Sequence, residues 1–455
     1  MIRSPYWKFF NYFNKLSPFQ IIVFYYLTAV LVSTFLLNLP FLHKGGVHLS
    51  FLDALFTAVS AVSVTGLSVI TVSDTLNTSG YFVMMFILQF GGIGVMTLGT
   101  FIWLLLGRRI GLKRRQLIKT DQNQTTFSGM VVLIKQILLL ILAIEALGAV
   151  ILGVYFTQYF PTLGEAFVQG AFASVSATTN AGFDITGNSL VMFQHDYFVQ
   201  FINMLLLTLG AIGFPVLIEV KDYLTKKNDA YIHFSLFAKL TSFTFAALVV
   251  VGGLLIYLFD RSHFFLGKSW HESLFFALFQ SLTTRNGGLA TMDVAEFTGP
   301  TLLIICVLMF IGASPSSVGG GIRTTTFAIA LLSVIAYARG KSNVRVFRRE
   351  IHQEDIFRSF IVINTAIAIT GIAVVLLSYA EPQFTLMEIL FEACSAFGTT
   401  GLSMGITPEL HGAGKIIIIC LMFIGRIGIF SFLFILRGKV SRDRYHYPKE
   451  PMIIG

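Results

Sequence analysis

FEACSAFGTTGLS, residues Phe391 to Ser403, is written more than once in this chain, and its repetition decides the fold. Aligned on one glycine, FTAVSAVSVTGLS runs from Phe56 to Ser68 around Gly66, and FASVSATTNAGFD from Phe172 to Asp184 around Gly182. The third, quoted first, centres on Gly401. In these copies the leading aromatic and the pair Ser60-Ala61, Ser176-Ala177 or Ser395-Ala396 keep one offset from the glycine. A looser fourth copy, FQSLTTRNGGL, aligns on Gly287, with Ser281 at the serine position and Leu282 in place of alanine. The adjacent Gly288 leaves the register of this copy open. The copies recur at about a quarter of the chain length, the mark of a fourfold internal repeat.

With 55% hydrophobic and 12% charged residues over 455 positions, the composition is that of a polytopic membrane protein. Uncharged apolar runs long enough to cross a bilayer, about 20 residues each, recur throughout. The net charge of +9 is a matter of topology and not of nucleic-acid binding. Arg108, Arg109, Lys113, Arg114, Arg115 and Lys119 fall in one connection, Lys221, Lys226 and Lys227 in the next. Arg339, Lys341, Arg345, Arg348 and Arg349 fall in a third, and Arg437, Lys439, Arg442, Arg444 and Lys449 crowd the tail. The alternate segments 39–80, 157–196 and 380–413 hold only Lys44 among lysines and arginines. This asymmetry predicts both termini in the cytoplasm, in the inner membrane, with anionic lipid headgroups against the basic face.

Each quarter repeats one plan. First spans are expected at Phe19–Asn38, Met130–Phe156, Phe234–Phe259 and Ile356–Tyr379. A helix too short to cross follows, as at Leu52–Val62, and ends at the repeated glycine. Second spans follow at Tyr81–Leu106, Tyr197–Val220, Thr301–Ala338 and Gly414–Leu436. The expected architecture is an all-α membrane protein of eight spans, in four parallel units around a pseudo-fourfold axis: 17–119, 129–228, 233–349 and 354–440, with a tail at 441–455. Returning backbone at membrane depth is tolerated where protein buries it or water bathes it. The stretches Val64-Thr65-Gly66, Asn180-Ala181-Gly182, Arg285-Asn286-Gly287 (with Gly288) and Thr399-Thr400-Gly401 would then offer backbone carbonyls to a central path. Rings of carbonyls can replace the hydration shell of potassium, and glycine frees the backbone to present them.

Two departures stand out in the second spans. GASPSSVGGGIRTTT, residues 312–326, breaks the third with Pro315 and with Gly319, Gly320 and Gly321, residues that cannot sustain a helix. Beside these, Gly312, Ser314 and Ser316 complete a candidate intramembrane loop under the carbonyl stretches, while the other three second spans show no comparable break. Arg426 follows the repeated glycine where the other quarters have Gly92, Ala211 and Ala313. A cation at that depth costs about 2.5–3.5 kcal/mol on insertion scales, so it is expected to face the path as an electrostatic barrier. Arg285 is expected to point away and pair with Glu272, Glu388 or Glu392, and Glu145 to brace a helix or touch an ion. Cys306, Cys394 and Cys420 lie in apolar runs without metal-ligand spacing, so no transition metal is expected. Gly267-Lys268-Ser269 lacks the first P-loop glycine, and His271-Glu272 lacks the second zinc histidine, so no enzyme is expected.

These features together resemble the Trk/Ktr/HKT superfamily of potassium and sodium translocating proteins, over about Ser17 to Leu436, and the length is similar to its Ktr-type membrane subunits. The resemblance implies that residues 312–326 gate the path with Arg426 beside them, leaving ion choice to the filter above. It implies a homodimer resting on a cytoplasmic ring of Rossmann-type nucleotide-binding subunits. The nucleotide would sit on that separate partner, since no GxGxxG follows a strand here, and this chain would carry no cofactor of its own. The transported ion would be potassium: the potassium-selective members have glycine in all four stretches, and sodium-selective relatives have serine in the first. A sodium-coupled secondary cation transporter is the alternative.

Overall fold

The computed structural model describes residues 17–94, 130–225 and 233–436, with Thr97 and positions 445, 447–448 and 450–453. The basic residues Arg108 to Lys119, Lys226, Lys227 and those from Arg437 to Lys449 lie outside the described residues, as does the end of the first inner span toward Leu106. Long apolar helices dominate: α1 (Pro18–Leu37), α4 (Met130–Phe156), α8 (Leu236–Asp260) and α12 (Gln353–Ala380). Their mean hydropathies run from 2.0 to 2.8, yet at most 39% of the apolar window of any one is buried inside the protein. Residues such as Leu31, Phe35, Leu147 and Val375, all more than 60% exposed, make sense only against lipid.

Each long helix is followed by a short one: α2 (Phe51–Ser63), α5 (Leu163–Thr178), α9 (Trp270–Thr283) and α13 (Leu386–Gly398). All four start alike. Ser50, Thr162, Ser269 and Thr385 accept a hydrogen bond from the backbone N–H of Asp53, Glu165, Glu272 and Glu388. A hydroxyl cap with an acid three residues on satisfies orphan amides and complements the helix dipole. The first aromatics of the repeat, Phe56, Phe172, Phe279 and Phe391, are each 0% exposed, which explains why each copy opens on one: they root the short helices in the core.

The second helices are α3 (Thr78–Gly92), α6 (Tyr197–Ala211), α10 (Gly299–Phe310) and α14 (Gly412–Ile427). Here the expectation of a single interruption is corrected. Beyond α6, α7 (Phe214–Thr225) leaves at 104°, and beyond α14, α15 (Ile429–Leu436) leaves at 102°. The hinges are Gly213 (φ 102°) and Gly428 (φ 84°), and α3 ends before Gly94 (φ 90°). These three glycines and Pro315 follow Gly210, Gly425, Gly91 and Gly312 at one common offset. After α10 the chain makes the expected loop and resumes in α11 (Thr324–Ala338). A hairpin of β1 (Arg345–Val346) and β2 (Arg349–Glu350), with Phe347 and Arg348 at positive φ, is a small exception to all-α architecture.

Polar ties join the ends of first and second helices on the face where the short helices begin. Asn77 Nδ2 donates to Phe41 O (2.7 Å), Tyr159 OH to Asp196 Oδ2 (2.5 Å) and Thr298 Oγ1 to Asp260 Oδ2 (3.1 Å). In the last quarter buried Glu381 accepts from the His411 backbone N–H (2.8 Å), with His411 Nδ1 2.7 Å from its other oxygen. Burial pushes the Glu381 carboxyl up, but the bonds from His411 and Gln383 outweigh it and hold its pKa below the ordinary 4.5. Its stabilising contribution is therefore complete above pH 4.5 and is lost as pH falls through the lowered value. Glu381→Gln is expected to lower the melting temperature of the detergent-solubilised protein by about 1–3 °C at pH 7. It is also expected to shrink the loss between pH 5 and pH 3, measured by thermal scans across pH.

Candidate functional site

Where each short helix ends, a residue with a side chain adopts the left-handed conformation: Val64 (φ 58°), Asn180 (φ 54°), Asn286 (φ 70°) and Thr399 (φ 51°). Two residues on stand Gly66, Gly182, Gly288 and Gly401, with φ between 67° and 95°. The four glycines close a ring. A methyl on Gly66 would lie 3.1 Å from Gly182 Cα and 3.3 Å from Gly401 Cα. One on Gly182 would lie 2.8 Å from Gly288 Cα, and one on Gly401 3.1 Å from Gly288 Cα. Neither the backbone angle nor the space admits a side chain.

This geometry settles the open register of the third segment. Gly288 stands in the ring, whereas a methyl on Gly287 would strike Thr283 of its own helix end. The third copy is one residue short just before its left-handed turn: Gly287 N bonds Thr283 O, where Thr65, Ala181 and Thr400 bond Ser60, Ser176 and Ser395 one residue further back. The hydroxyl equivalent to those serines is thus Thr283, not Ser281. Thr283 Oγ1 donates to Leu289 O (2.6 Å) as Ser176 Oγ does to Phe183 O (2.5 Å). Ser60 and Ser395 brace the other two by accepting from Gly66 N and Gly401 N, both at 3.1 Å. Ser281 instead bonds Val249 O of α8, as Ser174 bonds Glu145 O of α4. Arg285 accordingly falls one position before the turn and not within the segment.

On one side of the ring opens a cavity of about 210 Å³ whose wall includes Asp184, Asp293 and Ser403 and no cationic side chain. On the other side lies the buried loop after α10. Ser314 N bonds Ala211 O (3.1 Å), Phe214 N bonds Ser316 O (2.8 Å), Val318 N bonds Gly210 O (3.3 Å) and Gly321 N bonds Gly425 O (3.3 Å). The loop therefore knits together the bends of α6 and α14. Its glycines permit this contact: a methyl on Gly320 would meet Thr399 Oγ1 at 2.6 Å and Gly425 O at 2.8 Å. Pro315 breaks the helix and is itself buried.

Arg426 donates to Val318 O of the loop and to Gly91 O of α3, so it spans loop and helix as a clamp. Arg323 was not singled out by the sequence, though it lies in the quoted loop. It donates to Ser314 O (3.2 Å) and Gly319 O. Arg285 is 1% exposed and donates to Leu308 O and Thr284 Oγ1. The expected acid partners are engaged elsewhere, which corrects that expectation: Glu272 lies 3.7 Å from His195, Glu388 closes the Thr385 cap, and Glu392 accepts from Ser403 and Thr407. Glu145 accepts from Gln89 Nε2 (2.7 Å) and braces α3. Among the described residues no group of side chains could hold a transition metal. The ring carries no titratable group, so what it can offer is oxygen dipoles to a desolvated cation.

Residues 11–446 match the family described as TrkH, cation transport protein. The chain is 57% identical to the Ktr system potassium uptake protein D of Bacillus subtilis, over 98% of this chain and 99% of that one. It is 34% identical to the potassium/sodium uptake protein NtpJ of Enterococcus hirae, over 97% and 98%. The crystal structure of the potassium transporter TrkH from Vibrio parahaemolyticus is similar in fold, with a TM-score of 0.73 and 20% identity over 93% of this chain and 86% of that one.

If the ring is built as described, Gly288→Ala is strained in both backbone and contact, a cost of about 1–3 kcal/mol or more. Gly299→Ala, where a methyl meets nothing within 4 Å, is expected to change the melting temperature little. Thermal unfolding of the two variants side by side checks this.

Proposed function

The chain belongs to the TrkH family of cation transport proteins, and from that membership we propose that it takes up potassium as the membrane subunit of a Ktr-type system. It is a multi-pass cell membrane protein. The observation that carries the reading is the closed ring of Gly66, Gly182, Gly288 and Gly401 at the ends of four short helices. In this reading the carbonyls of residues 64–66, 180–182, 286–288 and 399–401 replace the hydration shell of the ion, and the helix C-termini add negative potential. Asp184 and Asp293 draw cations to the mouth. The units 17–119, 129–228, 233–349 and 354–440 surround this axis. Counting each bent inner helix as one crossing gives six spans among the described residues; taking α3 and the broken pair α10–α11 as crossings too makes eight in this reading, with both termini cytoplasmic.

The loop 312–326 closes the path on the cytoplasmic side by filling it, and Arg426 holds the loop in place through Val318 and Gly91. A homodimer on a separate nucleotide-binding ring would move this loop. Its docking face would be the basic hairpin with Arg345, Arg348 and Arg349, in competition with anionic lipid. Sodium coupling is a second reading, favoured by the name of the Enterococcus relative, a potassium/sodium uptake protein. Flux into liposomes under a potassium gradient alone separates the two, because a coupled transporter stays silent there.

Gly66→Ser is expected to reduce the preference for potassium over sodium by about tenfold or more, one decade being about 1.4 kcal/mol, while Gly299→Ser leaves it unchanged. Unaltered selectivity from normally inserted Gly66→Ser would remove the filter assignment. For the gate, Arg426→Ala is expected to raise uptake by the chain without its partner. Arg426→Lys separates clamp from charge: a lysine keeps the charge but cannot reach two carbonyls as the forked guanidinium does. A clamp makes Lys resemble Ala in the flux assay; a purely electrostatic barrier makes it resemble the unaltered protein.

A further inference from the structure

We propose that Thr399 is a positioning residue whose hydroxyl ties the intramembrane loop to the ring of glycines, so that ion choice and gating share one element. The proposal rests on reading the ring as filter and the loop as gate. Thr399 ends α13 in the left-handed conformation, two residues before Gly401. Its Oγ1 accepts the backbone N–H of Gly320 in the loop at 2.9 Å and Nδ2 of Asn286 at 2.7 Å. Asn286 Nδ2 also reaches Thr399 O (2.8 Å) and Gly398 O. One hydroxyl thereby joins the fourth segment, the third segment and the loop, with Thr399 and Asn286 both 0% exposed.

One asymmetry points the same way. Val64, Asn180 and Asn286 occupy the equivalent left-handed position without a hydroxyl, and the hydroxyl occurs beside the loop. Thr399, like Val64, is β-branched at positive φ, a strained conformation that persists only where its surroundings hold it. Here the holding bonds come from Asn286 and Gly320. When the loop leaves, Thr399 Oγ1 exchanges the fixed Gly320 N–H for mobile water in the opened path, and the strained turn before Gly401 loses a brace. Displacing the loop should therefore loosen the segment above it. The expectation that the loop leaves ion choice to the filter alone is replaced by coupling between the two.

The test uses the full chain in liposomes, with potassium and sodium fluxes measured separately. Thr399→Val is expected to raise basal potassium flux and to lower the potassium-over-sodium preference, each by about 2- to 10-fold, the range one hydrogen bond spans. Thr399→Ser, which keeps the hydroxyl, is expected to stay near the unaltered protein in both. A chain lacking residues 316–318 is expected to show reduced preference already, with Thr399→Val adding little in that background. A Thr399→Val chain that changes only one of the two readouts overturns the tether, as does full preference in the loop-shortened chain. If Thr399→Val fails to insert, the loop-shortened chain decides alone. Gly66→Ser distinguishes the premises: if it too leaves preference unaltered, the filter reading fails and not merely the tether.

Discussion

The whole structure answers to one constraint: backbone that turns back within a membrane must find partners for its own N–H and C=O groups inside the protein. Four segments turn back here, and each is held from behind by a hydroxyl one helical turn earlier. Ser60 and Ser395 accept from the ring glycine, while Ser176 and Thr283 donate to the carbonyl after it. The loop after α10 obeys the same rule at greater length, spending its amides on Ala211, Gly210, Gly425 and Thr399. The irregular parts thus place these amides on partners inside the protein. That is why they can hold a defined shape without regular secondary structure.

Charge is managed by a related economy. Arg285, Arg323 and Arg426 are buried or half-buried, and the bonds described for each run to backbone carbonyls or a hydroxyl and not to carboxylates. Carbonyls at broken helices are orphan acceptors, so a guanidinium satisfies the backbone while the backbone solvates it. The acids sit apart, at the starts of the short helices and around the outer cavity. Arg426 thereby grips the backbone of two elements, Val318 of the loop and Gly91 of α3.

Much of this was legible in the chain because repetition turns weak local signals into a strong one. The Phe-rooted short helices, the glycine after each and the break at Pro315 follow from residues that had to be there on steric grounds. Three things were misread or missed for physical reasons. The third segment is one residue short, and an ungapped alignment therefore favoured Gly287 and Ser281 over Gly288 and Thr283. The bends at Gly213 and Gly428 were hidden in apolar runs that look continuous, although the shared glycine three residues after Gly210 and Gly425 carried the signal. Arg285 was given an acid partner because ion pairing is the usual expectation, whereas helix-end carbonyls, invisible in sequence, do the same service.

The bends have a consequence for the surrounding lipid. With α7 turned through 104° and α15 through 102°, neither continues the line of the α6 or α14 before it. α6 has 15 residues, about 22 Å at roughly 1.5 Å per residue, against a hydrocarbon thickness of about 30 Å. α7 carries Glu219, Lys221 and Asp222 beside exposed Tyr223 and Leu224, a composition suited to a membrane interface. α6 is therefore shorter than the long helices α1, α4, α8 and α12, of 20 to 28 residues. Matching so short an apolar helix to a bilayer carries an elastic cost that changes with acyl-chain length. Bilayer thickness enters as a mechanical variable acting on the same hinges that the loop knits together.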